Sequence, residues 1–196
     1  MKQNDTINTT ELNHLNILYV FALESEAGTF FKEDLKIFTG VGKVNAAYHL
    51  MKALQTNRPD IIINVGSAGS NNFKRGTVVC CNQFIQRDMD VQGLGFDLYQ
   101  TPFSKVPAIL QYGKILTGLP LGICGTGDNF DTSNSQKSYN VVDMEAYALA
   151  LIAQEEEIPF LCLKYISDGG DETAAVDWQT SVVLAAEALK NAVTHF

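Results

Sequence analysis

Three groups of carboxylates stand where the chain leaves or enters an apolar run. Glu24 and Glu26 follow Phe21, Asp143 and Glu145 open an Ala/Leu-rich stretch, and Asp168 follows Ile166-Ser167. Carboxyl groups can protonate a leaving group, take a proton from water, or accept hydrogen bonds from paired hydroxyls. Acid–base cleavage of a polar bond is therefore the chemistry these residues could do. Each also has a plain structural use. A carboxylate at a helix start is favoured by the positive end of the macrodipole, and an aspartate after a strand caps a turn. Their joint placement at one sheet edge is the stronger signal. Histidines and cysteines offer less: His14, His49 and His195 lie in the N-terminal arm, on a helix face and beside the C-terminus. Cys80, Cys81, Cys124 and Cys162 sit in apolar stretches without metal-ligand spacing, so core thiols in a reducing cytoplasm are expected, with no metal and no cofactor.

The elements that must hold these carboxylates read as alternating strands and helices. Apolar runs at 16–21, 60–65, 77–81 with 83–85, 121–124 and 158–166 have buried-strand character. Helical patterns cover 42–54, 144–156 and 176–193, and Gly66-Ser67-Ala68-Gly69 is expected to break the chain after its strand. This alternation implies a three-layer α/β/α fold with a mixed, mainly parallel central sheet. Ligands bind such sheets beyond the carboxyl ends of the strands. The chain is polar or glycine-rich at those points: 22–26, 66–69, 125–131 and 167–171. Residues 1–15 read as a flexible arm and 16–196 as a single catalytic domain.

Composition narrows the function. The 196 residues are 46% hydrophobic and 18% charged with a net charge of −8, which suits an ordinary globular protein. No basic stripe exists to neutralise phosphates, so no nucleic acid is expected as partner. No apolar run approaches the roughly 20 residues that span a bilayer, and the polar first 15 residues do not resemble a secretory signal. A cytoplasmic protein without a membrane partner is the expectation.

Six blocks then carry a resemblance. In order they are Phe21-Ala22-Leu23-Glu24-Ser25-Glu26, Thr39-Gly40-Val41-Gly42-Lys43-Val44-Asn45-Ala46-Ala47, the stretch from Pro59 to Gly69, Thr126-Gly127-Asp128-Asn129-Phe130, Val142-Asp143-Met144-Glu145-Ala146 and Ile166-Ser167-Asp168. Together they resemble the methylthioadenosine/S-adenosylhomocysteine nucleosidases of the purine nucleoside phosphorylase superfamily, over most of the chain from residue 16. The resemblance implies a small purine nucleoside as substrate. It makes Asp168 the acid that protonates the purine at N7, supported by Ser167, and Glu26 the base that activates water, with Glu24 beside it. Glu145 would bind the ribose hydroxyls, Met144 would pack under the sugar, and Phe130 would stack on the purine. Main-chain groups at Asp131 would read the base edge. Val41 would also touch substrate, and Ser67, Ala68 and Gly69 would let backbone approach sugar and base.

By the same resemblance the active unit is a homodimer, in which Val91, Leu94 and Pro102 line the neighbour's 5′ pocket. The apolar cluster of Val91, Leu94, Phe96, Leu98 and Tyr99 among glycines suits burial against a second copy. Three departures stand out: a short link from Ala27 to Phe38, Lys164 in place of arginine, and Asp143 in place of glutamate. The expected reaction is hydrolysis of 5′-substituted adenosines, with a futalosine-type hydrolase as an alternative, and phosphorolysis is the alternative chemistry. Glu24 and Glu26 would repel phosphate there, and Arg58 and Arg75 lie outside the glycine-rich turns. A nucleoside-binding protein without activity is a third reading, opposed by the joint presence of Glu26, Glu145 and Asp168.

Overall fold

The computed structural model describes residues 6–129, 138–169 and 174–194, and in it each apolar run expected as a strand is one. In chain order the elements are β1 (Thr6–Ile7), α1 (Thr9–Leu12), β2 (Ile17–Phe21), α2 (Glu24–Ala27), β3 (Lys36–Phe38), α3 (Lys43–Leu54), β4 (Ile61–Gly69) and β5 (Val78–Gln86). After a 3-10 turn at Gln92–Leu94 come β6 (Ile109–Gln111), β7 (Ile115–Leu116), β8 (Leu121–Thr126), β9 (Val141–Asp143), α4 (Ala146–Glu155), β10 (Phe160–Asp168) and α5 (Ala174–Thr194).

The main sheet runs β10-β5-β8-β9-β4-β2-β3, with β6 on β5. Five pairings are parallel (β2–β3, β2–β4, β4–β10, β5–β8, β8–β9) and three antiparallel (β5–β10, β5–β6, β4–β9), so the sheet is mixed and mainly parallel. It also curls on itself. Because β10 pairs with both β4 and β5, and β9 meets β4 at Gly69 and Val142, strands β4, β10, β5, β8 and β9 close a ring. Register slips between Cys81 and Gln83 and between Ile166 and Asp168 bend β5 and β10, which is how an otherwise open sheet acquires curvature.

Helices cover both faces, which is why β4 is apolar without alternation. Ile62 packs in a cluster with Ala46 and Leu50 of α3 and Leu149 of α4. Ile61, Ile63 and Val65 join Phe31, Ala185 and Leu189 of α5 in a second cluster. Burying each isoleucine contributes about 1.5–3 kcal/mol, so β4 is anchored from both sides.

Two expectations need correction. Gly66 to Gly69 do not break the chain; β4 continues through them, because Gly66, Ser67 and Ala68 ladder onto Lys164, Tyr165 and Ile166 of β10. Pairing along a full strand outweighs the weak strand propensity of two glycines. The arm is not loose from Thr6 onward. β1 pairs with β7, Asn8 caps α1 through a capping box, and Ile7 and Leu12 are buried in the second cluster.

Candidate active site

The acidic loop follows β2 directly. Leu23 has extended backbone, and Glu24 and Glu26 lie in the single turn of α2. Glu26 points inward and is buried, whereas Glu24 is exposed. Oε1 of Glu26 accepts from the Ser67 amide at 2.9 Å and from Ser67 Oγ at 2.7 Å. Its Oε2 accepts from the Leu23 amide at 3.1 Å. Gly66 makes room for this carboxylate, since a Cβ there would meet Glu26 Oε1 at 3.1 Å. Ser67, expected only to let backbone approach a ligand, thus orients the proposed base through main chain and side chain together.

Asp168 ends β10, opposite Gly69 of β4, and is buried. Ser167 Oγ donates to its Oδ2 at 2.7 Å. The carboxylates of α2 and β10 are therefore set by neighbouring strands of one ladder.

Glu145 immediately precedes α4, and its Oε1 accepts from the Gly42 amide at the start of α3 at 2.9 Å. Burial, followed by the negative charge of Asp143, pushes the Glu145 carboxyl up to about 7, against the pull of Lys164 and the Gly42 N–H. Asp143 does not open the helix as expected; it closes β9. Its Oδ2 meets Lys164 Nζ at 2.8 Å with both side chains buried, and also accepts from the Ala146 amide at 2.8 Å. Its Oδ1 accepts from Thr126 Oγ1 at 2.6 Å. Burial disfavours the Lys164 ammonium, but the adjacent Asp143 outweighs it and holds the group well above the usual lysine range. Lys164 holds the Asp143 carboxyl below its usual range despite burial. The lysine that departs from the family pattern therefore engages the aspartate that departs with it.

A cavity of about 210 Å3 lies at these strand ends. It brings together Glu26, Val41, Ser67, Ala68, Gly69, Met144, Glu145, Ser167 and Asp168, every described residue that the resemblance assigns to this chain's own substrate. Phe130 and Asp131 lie outside the described residues. Val91, Leu94 and Pro102 do not line this cavity; Leu94 is 73% exposed. Among the other wall residues, Arg87 directly after β5 and Asn129 after β8 had been given no role by the sequence. The only hint was a charged Arg-Asp pair directly after a buried strand. All four thiols are buried, and burial pushes Cys80 up to about 12 and Cys124 up to about 11, which favours the protonated form of both.

Residues 35–196 match a family model described as the phosphorylase superfamily. The 5′-methylthioadenosine/S-adenosylhomocysteine nucleosidase of Haemophilus influenzae (strain PittEE) is 32% identical over 178 residues, covering 80% of this chain and 77% of that protein. The chain belongs to the phosphorylase superfamily, on its nucleosidase branch. Solved structures of other nucleoside-cleaving proteins share its fold. The Helicobacter pylori 5′-methylthioadenosine/S-adenosylhomocysteine nucleosidase, complexed with a substituted pyrrolidin-3-ol, superposes with a TM-score of 0.79 at 18% identity, covering 92% of this chain and 98% of that one. The futalosine hydrolase of the same organism gives 0.78 at 18% identity, over 92% and 97%. The superfamily match begins beyond the acidic loop, so the placement of Glu26 rests on its resemblance block and on the cavity it lines.

Proposed function

We propose that the chain hydrolyses the N-glycosidic bond of 5′-substituted adenosines, 5′-methylthioadenosine and S-adenosylhomocysteine foremost, releasing adenine and the ribose moiety. Asp168 delivers a proton to N7 of the purine, so the electron pair of the breaking bond is drawn into the base. The ribose is left oxocarbenium-like, water attacks its anomeric carbon, and Glu26 takes the proton of that water. Glu145 binds the ribose hydroxyls, with its carboxylate oriented by the Gly42 amide. The observation that carries this reading is the convergence of Glu26, Glu145 and Asp168 on one cavity, each fixed by a separate donor. Phosphorolysis needs cations free to hold phosphate. Among the described wall residues the one cation is Arg87, and its guanidinium is engaged with Gly127 and Asn129.

The test is hydrolysis of methylthioadenosine, S-adenosylhomocysteine, adenosine and futalosine with and without phosphate. Cleavage to a free sugar, independent of phosphate and fastest for a 5′-thio substrate, is expected. A phosphate requirement with ribose-1-phosphate as product overturns hydrolysis, and binding without turnover overturns catalysis. Since Glu145 accepts two hydroxyl donors best as a carboxylate, KM for the nucleoside should fall as pH rises through about 7. Glu145→Gln should flatten that dependence.

The reading extends to assembly as a homodimer. The segment after β5 carries Leu94 at 73%, Leu98 at 39% and Phe103 at 95% exposure. Tyr99 and Phe103 adopt left-handed backbone, φ 68° and 60°, which bulky residues seldom hold without a purpose. On α3, Val44, Tyr48 and Met51 form a second exposed apolar stripe. A two-fold contact would bury both patches and carry Val91, Leu94 and Pro102 to the neighbour's 5′ pocket. Leu94→Asp is expected to weaken the dimer in sedimentation and to raise KM for methylthioadenosine more than for adenosine. A fully active wild-type monomer at micromolar concentration would rule the shared pocket out.

A further inference from the structure

Arg87 is the one cation among the described cavity residues, and the proposed chemistry gives it no role. It leaves the end of β5 and reaches across to the turn that follows β8. Nη1 donates to Asn129 Oδ1 at 2.7 Å, and Nη2 donates to the Gly127 carbonyl at 3.2 Å and to the Asn129 carbonyl. The guanidinium lies directly on Gly127, where a Cβ would stand 2.8 Å from Arg87 Cζ. Its Nε is buried and has no hydrogen-bond partner among the described residues. The same turn is also held by the next residue, Asp88. Asp88 Oδ2 accepts from the Asp128 amide at 2.9 Å, and Asp88 Oδ1 meets Lys43 Nζ at 2.6 Å. Lys43 in turn donates its amide to Asp128 Oδ1 at 2.8 Å, one residue beyond the Gly42 amide that orients Glu145. Arg87 and Asp88 thus bracket residues 127–129 from both sides and tie them to the loop that holds the ribose-binding carboxylate.

An arginine kept for fold stability alone would not need a buried donor left without an acceptor, because such a donor costs about 1–3 kcal/mol. A guanidinium that ties two carbonyls and a side-chain oxygen of one short segment fixes that segment's shape instead. The segment is part of the cavity wall through Asn129, and the chain runs on from it into Phe130. We infer that Arg87 is a positioning residue for substrate: it acts through residues 127–129 to preorganise the wall against which the nucleoside binds. This inference rests on the nucleosidase reading given above.

Removing the bracket should weaken ground-state and transition-state binding alike, a loss that appears in KM with kcat retained. Arg87→Met keeps the aliphatic stem and removes the unpaired buried donor, so its melting temperature should match or exceed the wild type. KM for methylthioadenosine should rise about 10-fold, with kcat within about 2-fold, as expected when uniform binding is lost. Calorimetric affinity for adenine should fall in parallel. Arg87→Lys, a point charge that cannot fork across two carbonyls, should fall between them. Gly127→Ala should raise KM in the wild-type background by dislodging the guanidinium, but add little in the Arg87→Met background. Such non-additivity marks two residues that act through one contact. If the wild type cleaves methylthioadenosine while Arg87→Met keeps wild-type KM and adenine affinity, the inference falls and the function stands. Additive effects of Gly127→Ala and Arg87→Met also overturn it. If the wild type cleaves no nucleoside in the panel, the reading of function falls and takes the inference with it.

Discussion

Asp168→Asn is expected to lower turnover by at least about 10²-fold while the protein stays folded, equivalent to about 2.7 kcal/mol at the transition state. The substitution is nearly isosteric, and an amide can still hydrogen bond to Ser167 Oγ, which lies 2.7 Å from Oδ2. What an amide cannot do is release a proton to N7, so the purine must depart as a poorer leaving group. A nucleoside analogue whose leaving group needs no protonation should separate this from a collapsed site, because the variant should cleave it nearly as well as the wild type. The checks are kcat on methylthioadenosine, kcat on the activated analogue, and the melting temperature. Turnover of methylthioadenosine near the wild-type level would remove Asp168 from the acid role.

Glu26→Gln should abolish measurable hydrolysis and leave nucleoside binding largely intact. Both oxygens of Glu26 accept hydrogen bonds, one from Ser67 and the other from the Leu23 amide. A glutamine must turn its NH2 toward one of these donors, which costs about 1–3 kcal/mol of stability. A few degrees of lost melting temperature are therefore expected alongside the loss of the water-activating base. Glu24→Gln serves as the control, since Glu24 is exposed and does not line the cavity. Its kinetics should stay near wild type. If Glu24→Gln is the inactive variant and Glu26→Gln the active one, the base is Glu24.

The strands and helices that carry the three carboxylates were legible because both faces of the sheet are covered. That makes runs such as Ile61 to Val65 and Phe160 to Ile166 apolar at every position but one, Asn64 in the first and Lys164 in the second. What escaped depends on partners far along the chain. The glycines of 66–69 look like a turn in isolation, and only pairing with β10 keeps them extended. The arm looks polar and loose, yet from Thr6 onward it is docked by the pairing of β1 with β7 and by two apolar side chains, Ile7 and Leu12. Arg87 stands 40 residues before Gly127 in sequence, so no local pattern could announce their contact. Lys164 and Asp143 each register as single departures from the family pattern, and only the 2.8 Å between them shows why they occur together.

The closed ring of strands has a consequence for motion. Asp168 sits on β10 opposite Gly69, and the serine that orients Glu26 lies two residues earlier on the same β4. β4 and β10 are bonded on both edges, to each other and to β2, β5 and β9. Moving the anchor of the proposed acid relative to that of the proposed base would require several ladder hydrogen bonds to break at once. Breathing of the domain is thereby pushed into the connections above the strand ends, and the distance between the two ends of the reaction behaves as a fixed length of the scaffold.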